Sequence, residues 1–98
     1  MWFVIYAEDV QDSEPLREPR RAAHIARRAA LERENRLLVS GPLSERPGKP
    51  YSGSLLLASF ASIEEARAWA EADPYTAAGV YSRLVVKHFN QHFPPIPA

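Results

Sequence analysis

The sequence contains no cysteine. That absence excludes a disulfide-stapled secreted scaffold, a thiol nucleophile and any Cys-bearing zinc or iron–sulfur site. No apolar run approaches the roughly 20 residues that span a bilayer, and the first residues carry neither a basic n-region nor a small-residue cleavage site. A soluble cytoplasmic protein with no membrane partner is the expectation. An excess of either charge is missing too: 12 Lys and Arg balance 12 Asp and Glu, which removes the summed positive field of a dedicated nucleic-acid binder. No Walker loop, G-x-G-x-x-G, G-x-S-x-G or H-E-x-x-H occurs, so nucleotide cradling, serine hydrolysis and zinc proteolysis lack their sequence marks. With 98 residues, one core is the limit. A chain of that size buries only about two-thirds of its unfolded surface, which favours further burial against a partner subunit.

What is present organises itself into short elements. Residues 2 to 7, Trp-Phe-Val-Ile-Tyr-Ala, are aromatic and β-branched and read as a first strand, closed by the polar stretch from Glu8 to Pro15. Pro19 to Arg36 has no glycine or internal proline and is rich in Ala, Arg, Glu and Leu, which predicts a helix. Leu37 to Ser40 is a second strand stopped by Gly41-Pro42, and the Pro-rich segment from Pro42 to Ser52 is an exposed loop. Ser54 to Phe60 is a third strand. Ser62-Ile63-Glu64-Glu65 forms a capping box that starts a second helix, whose apolar Ile63, Ala66, Trp69 and Ala70 repeat at three and four. Asp73-Pro74 pairs a favoured N-cap with a favoured first helical residue, predicting a brief helical turn over Tyr75 to Ala78 ended by Gly79. Val80 to Phe89 is the last strand, and His92 to Ala98, with three prolines, is an extended tail.

The order β-α-β-β-α-β predicts an α+β, ferredoxin-like fold: a four-stranded antiparallel sheet with two helices on one face. Residues 1–91 then form a single domain and residues 92–98 a C-terminal tail. A strand with one buried face should alternate, yet residues 2 to 7 and 55 to 58 are apolar at successive positions. With only two helices available, the economical cover for the second sheet face is the same face of another copy, giving an isologous homodimer.

Among groups able to do chemistry, His24 lies inside the first helix. If Leu31, seven residues on and on the same face, is core, His24 points under the helix toward the sheet edge. If the stripe Ala22, Ile25, Ala26 and Ala29 is core instead, His24 is solvated and inert. Asp73 has a bland role as an N-cap; as a carboxylate at an element junction it could also fix an imidazole tautomer and steady its protonated form. Ten of the twelve bases are arginine, and seven lie between Arg17 and Arg36, mostly a solvated helix face. Arg21, one turn before His24, could hold a carboxylate or phenolate. His88 and His92 are four apart across a strand end, which is not a helical metal spacing, so neither a metal nor a cofactor is expected. Leu55 to Ala58 offers aliphatics where an RNA-binding sheet of this topology would offer stacking aromatics and bases, so RNA is not an expected partner.

Several segments resemble the YciI-like (YCII-related) family: Tyr6-Ala7-Glu8-Asp9, Arg21-Ala22-Ala23-His24, Leu38 to Pro42, and Trp69-Ala70-Glu71-Ala72-Asp73-Pro74-Tyr75 running into Ala78-Gly79-Val80-Tyr81. The resemblance spans about residues 1 to 89 and implies a dimeric α/β-barrel arrangement of ferredoxin-like subunits with a paired histidine and aspartate, by position His24 and Asp73. It also implies a reaction class, since some similar proteins act as dehydrochlorinases on hydroxylated or chlorinated rings and muconolactone isomerases share the dimeric architecture. The expectation is a small cofactor-independent lyase or isomerase in which His24 moves a proton and Asp73 steadies the imidazolium. Arg21, Ser40, the Gly41 amide and Tyr75 would bind a small hydroxylated or lactone-like molecule. The alternative is a non-catalytic dimer that binds a small metabolite or serves as an accessory subunit.

Overall fold

A computed structural model describes residues 1–95. Ile96 to Ala98, the end of the expected tail, lie outside the described residues. Nine elements follow one another: β1 (Trp2–Asp9), α1 (Glu14–Arg17), a 3₁₀ turn (Glu18–Arg20), α2 (Arg21–Arg33), β2 (Leu37–Leu43), β3 (Gly53–Ser59), α3 (Ile63–Glu71), α4 (Pro74–Ala77) and β4 (Tyr81–His88). The strands form one antiparallel sheet in the order β2-β3-β1-β4. Both helical crossovers skip one strand, which is the split βαβ topology, and the α+β ferredoxin-like fold is established.

Central β1 alternates as a strand with one covered face should: Phe3, Ile5 and Ala7 are buried while Trp2, Val4 and Tyr6 are half-buried. Register places Phe3 opposite Ala58, and Ile5 between Leu56 and Val86, so one face carries a continuous apolar layer. Leu31 from α2 and Ala66 and Ala70 from α3 close that layer. The capping box at α3 forms in part: Ser62 Oγ accepts from the Glu65 amide at 3.1 Å, while the Glu65 carboxylate reaches the amide of Ala61 at 3.4 Å.

Four boundaries differ from the sequence reading by more than one residue. Strand β1 runs to Asp9, its register shifting against β4 between Glu8 and Asp9. The polar stretch after it already turns helical at Glu14, with Pro15 and Pro19 in the first positions of successive short turns, where the missing N–H costs nothing. Helix α2 is correspondingly shorter than Pro19 to Arg36 and stops at Arg33; Asn35 takes the left-handed conformation (φ 56°) that reverses the chain into β2. Strand β2 continues through Gly41-Pro42 to Leu43, with Pro42 opposite Ser54. It can do so because β2 is an edge strand, where proline's missing donor is tolerated.

The two alternatives for the face of α2 are also decided. Leu31 is 3% exposed, whereas Ile25 is 40% exposed and Ala22, Ala23 and Ala26 are exposed. The leucine, not the alanine stripe, seats the helix, and His24 is thereby turned inward. No helix among the described residues is long and apolar enough to cross a membrane.

Candidate active site

The break between α3 and α4 sets one half of the site. Asp73 has an extended backbone (φ −64°, ψ 137°), and its Oδ1 accepts from the Tyr75 amide at 2.8 Å, so it caps α4. Capping fixes the carboxylate rotamer and holds the group 3% exposed. Both carboxylate oxygens then lie 3.0 Å from Nδ1 of His24, and Arg27 Nη1 stands 3.4 Å from Oδ2. Oδ1 of Asp73 therefore serves both the helix cap and the imidazole, while Oδ2 serves the imidazole and Arg27.

Helix α2 supplies the other half. The His24 ring stacks on Tyr75, centroids 4.1 Å apart and planes 12° from parallel, and Tyr75 in turn meets the edge of Tyr81 at 6.1 Å. An ionised carboxylate can only accept, so Nδ1 carries the imidazole proton of the neutral ring and the lone pair sits on Nε2. Nε2 has no hydrogen-bond partner among the described residues. His24 lines a cavity of about 320 Å³, at the small end of the range for ligand sites. A group with an available lone pair, an oriented ring and a buried carboxylate behind it can accept a proton and have its new charge stabilised.

Arg21, Ser40, Gly41 and Tyr75 line the same cavity. Arg21 is already engaged: Nη2 bonds Glu14 at 2.6 Å and Nη1 pairs with Glu18. The hydrogen bond from Arg21 holds the Glu14 carboxyl below its ordinary range, and Glu14 in return raises the guanidinium. Tyr75 is 1% exposed and packs against the imidazole on one side and has the Arg17 guanidinium carbon 5.0 Å from its ring centroid. Trp69 and Leu56 give the cavity apolar wall, with the Arg27 guanidinium 4.3 Å over the Trp69 ring. His88, by contrast, lies against Phe3 at 4.6 Å on another part of the sheet.

Sequence reasoning passed over Arg17, which lines the cavity and is the most thoroughly held charge in the molecule. Its Nε and Nη2 bond the two carboxylate oxygens of Asp9 at 2.7 and 3.1 Å, and Nη2 also reaches Gly53 O at 3.0 Å and Ser54 Oγ at 3.2 Å. The two charged side chains are 4% and 1% exposed. Burial works against the cation, but the Asp9 carboxylate overcomes it and the guanidinium ends above its ordinary value. Gly53 lets β3 approach β1 closely at this point, because a Cβ there would stand 2.5 Å from the Ala7 carbonyl oxygen. Only Asp9, an acid closing an apolar strand, hinted at a buried partner; among the arginines of the helical region Arg17 carried no distinguishing mark. Tyr81 was missed as well. Burial pushes its phenol up to about 12, so it stands in the cavity wall as a neutral hydroxyl.

Comparison with known proteins now decides the family. The YCII-related domain matches residues 1–90. The chain belongs to the YCII-related family. Relatives of this YCII-related protein include YciI of Escherichia coli, 48% identical over 98 residues that cover 95% of this chain and all of that protein, and a protein of Haemophilus influenzae, 39% identical over the same coverage. Among solved structures it is similar to 5-chloro-2-hydroxyhydroquinone dehydrochlorinase from Burkholderia phenoliruptrix in complex with 2,5-dihydroxybenzoquinone. That match has a TM-score of 0.81 and 31% identity, and covers 92% of this chain and 94% of the other.

Proposed function

We propose that this YCII-related protein is a small cofactor-independent enzyme, a lyase or isomerase, in which His24 is the base and Asp73 its partner. The observation that carries the reading is the pair of 3.0 Å contacts between the Asp73 carboxylate and Nδ1, made by a buried acid whose position a helix cap enforces. In this mechanism Nε2 takes a proton from a carbon or hydroxyl of the substrate. The electron pair left behind delocalises onto a ring oxygen and, in an elimination, expels a halide as the new double bond forms. Asp73 steadies the imidazolium until the proton returns to product or solvent. Arg21, Ser40 and the Gly41 amide line the substrate side of the cavity, and Tyr75 holds the imidazole plane.

Support for the substrate class comes from the likeness to a dehydrochlorinase whose complex holds a dihydroxylated quinone, and from a cavity volume suited to one small ring. A positioned base contributes about 10²- to 10⁴-fold in rate, enough for an already acidic molecule and not for an inert amide. The same reading takes residues 1–91 as one domain and the working form as a homodimer joined through the sheet face opposite the helices. Val4, Tyr6, Leu55 and Leu57 are only half-buried on that face, a strip that a second copy would cover. Turnover of a panel of chlorinated hydroquinones, small phenols, lactones and keto acids by wild type and His24→Ala tests the proposal. We expect His24→Ala to fold and to lose about 10²-fold or more on any substrate the wild type converts. Equal turnover by the two proteins would overturn it.

A further inference from the structure

The cations that line the cavity are Arg17, Arg21, Arg28 and Lys49. Acids of the chain account for three of them: Arg17 forks onto Asp9, Arg21 bonds Glu14 and Glu18, and Lys49 stands 3.4 Å from Glu14. Arg28 is different, for it has no ion pair among the described residues. The residue is half-buried, where an unpaired guanidinium gives up part of its hydration with no counter-charge in return. None of its nitrogens is sealed off, since the fully buried side-chain atom without a partner is Glu14 Oε2. All of its N–H donors are therefore open to a ligand.

The local sequence offers Arg28 another course. Glu32 lies four residues on along α2, exposed and at the spacing of a helical ion pair. The pair does not form, a base preceding its acid being the weaker order along a helix, and the side chain borders the cavity instead. Its place relative to the base is set by the helix. Arg28 follows His24 by four residues, which puts the two on one flank of α2, about 6 Å apart along the axis. Leu31, 3% exposed, seats that flank on the sheet, and Ser40 and Gly41 of the edge strand β2 border the same space. One helical turn is the reach of a small ring with a single substituent.

We propose that Arg28 forms a carboxylate subsite of the cavity, its guanidinium fork receiving an acid group carried on a small ring whose other end meets His24. The substrate class proposed above thereby narrows to rings that bear a carboxylate. A planar carboxylate matches the fork in two parallel hydrogen bonds, and a cavity of about 320 Å³ leaves little room for a bulkier phosphate ester beside the ring. The direction of the ring's other end rests on the acid/base reading. The carboxylate contact does not, and it is tested by binding alone.

Titration calorimetry compares 4-hydroxybenzoate with its neutral isostere 4-hydroxybenzamide at neutral pH, where the carboxyl is ionised and the phenol is not. Wild type is expected to bind the acid about tenfold tighter, the scale of one charge-assisted hydrogen bond. Arg28→Leu should weaken the acid about tenfold and change the amide by less than about twofold. Arg28→Gln, which keeps a polar helix former at this position, should do the same. Arg33→Leu removes the same charge from the same helix at a residue that does not line the cavity, and should keep the preference. Retention of the preference in both Arg28 variants, an equal loss in Arg33→Leu, displacement of 4-hydroxybenzoate by an equal concentration of inorganic phosphate, or no binding of the acid to wild type would each overturn the proposal. His24→Ala should keep the preference, so loss of turnover in that variant bears on the base and leaves this result untouched.

Discussion

Replacing Arg17 with Met removes four hydrogen bonds and leaves the Asp9 carboxylate, 1% exposed, with the Ser13 hydroxyl at 2.6 Å as its remaining side-chain partner. Methionine retains much of the aliphatic stem, so the loss is mainly that of charge compensation. Breaking a buried pair from one side costs about 3–5 kcal/mol, because the surviving ion stays out of water without its counter-charge. Set against the roughly 5–15 kcal/mol of a typical domain, that is a large share. Urea unfolding followed by circular dichroism should show the midpoint fall with an unchanged slope, since the surface exposed on unfolding is the same. Asp9→Asn combined with Arg17→Met should be less destabilised than the sum of the single changes, by about 0.5–3 kcal/mol, because no orphaned charge is left. A single-variant cost below about 1 kcal/mol, or strict additivity in the double variant, would refute the view that this pair holds α1 against the end of β1.

Two further perturbations follow from local geometry. Ser62→Ala should cost about 1 kcal/mol in the same unfolding assay, since it removes the acceptor for the Glu65 amide at the start of α3. Tyr81 has its phenol raised from 10.0 to about 12 by burial, so the folded state favours the neutral form. Its contribution is complete below pH 10 and is lost as pH rises through about 12. Wild type should therefore weaken over that window relative to Tyr81→Phe, and tyrosinate absorbance should show one phenol titrating late that is missing from the variant.

The legible parts of the molecule were those with a local physical signal. The Ser62 cap, the Ile63 to Ala70 repeat and the Asp73-Pro74 restart each act within a few residues, and each lies where the sequence placed it. The end of β2 was misjudged because a proline stops a strand only if its missing donor was needed, and that depends on which strands end at the sheet edge. The short helix α1 was hidden because four residues are too few to show a period. At the site, His24 and Asp73 are 49 positions apart, and spacing alone left two faces of the helix open. Only the burial of Leu31 turns the imidazole toward the carboxylate. Arg17 was illegible for the opposite reason: it sits among similar residues, and its distinction is made by Asp9, Gly53 and Ser54, which the sheet brings to it.

The proposed base needs a neutral imidazole whose lone pair is free at Nε2 because Asp73 holds the proton at Nδ1. Long-range proton–nitrogen correlation NMR of His24, recorded at a pH where the ring is uncharged, reads this directly. It should find Nδ1 protonated and Nε2 bare, with the preference lost in Asp73→Asn. A ring carrying its proton on Nε2 in the wild type would leave the lone pair aimed at a carboxylate, and the proposed base would have nothing with which to accept a proton.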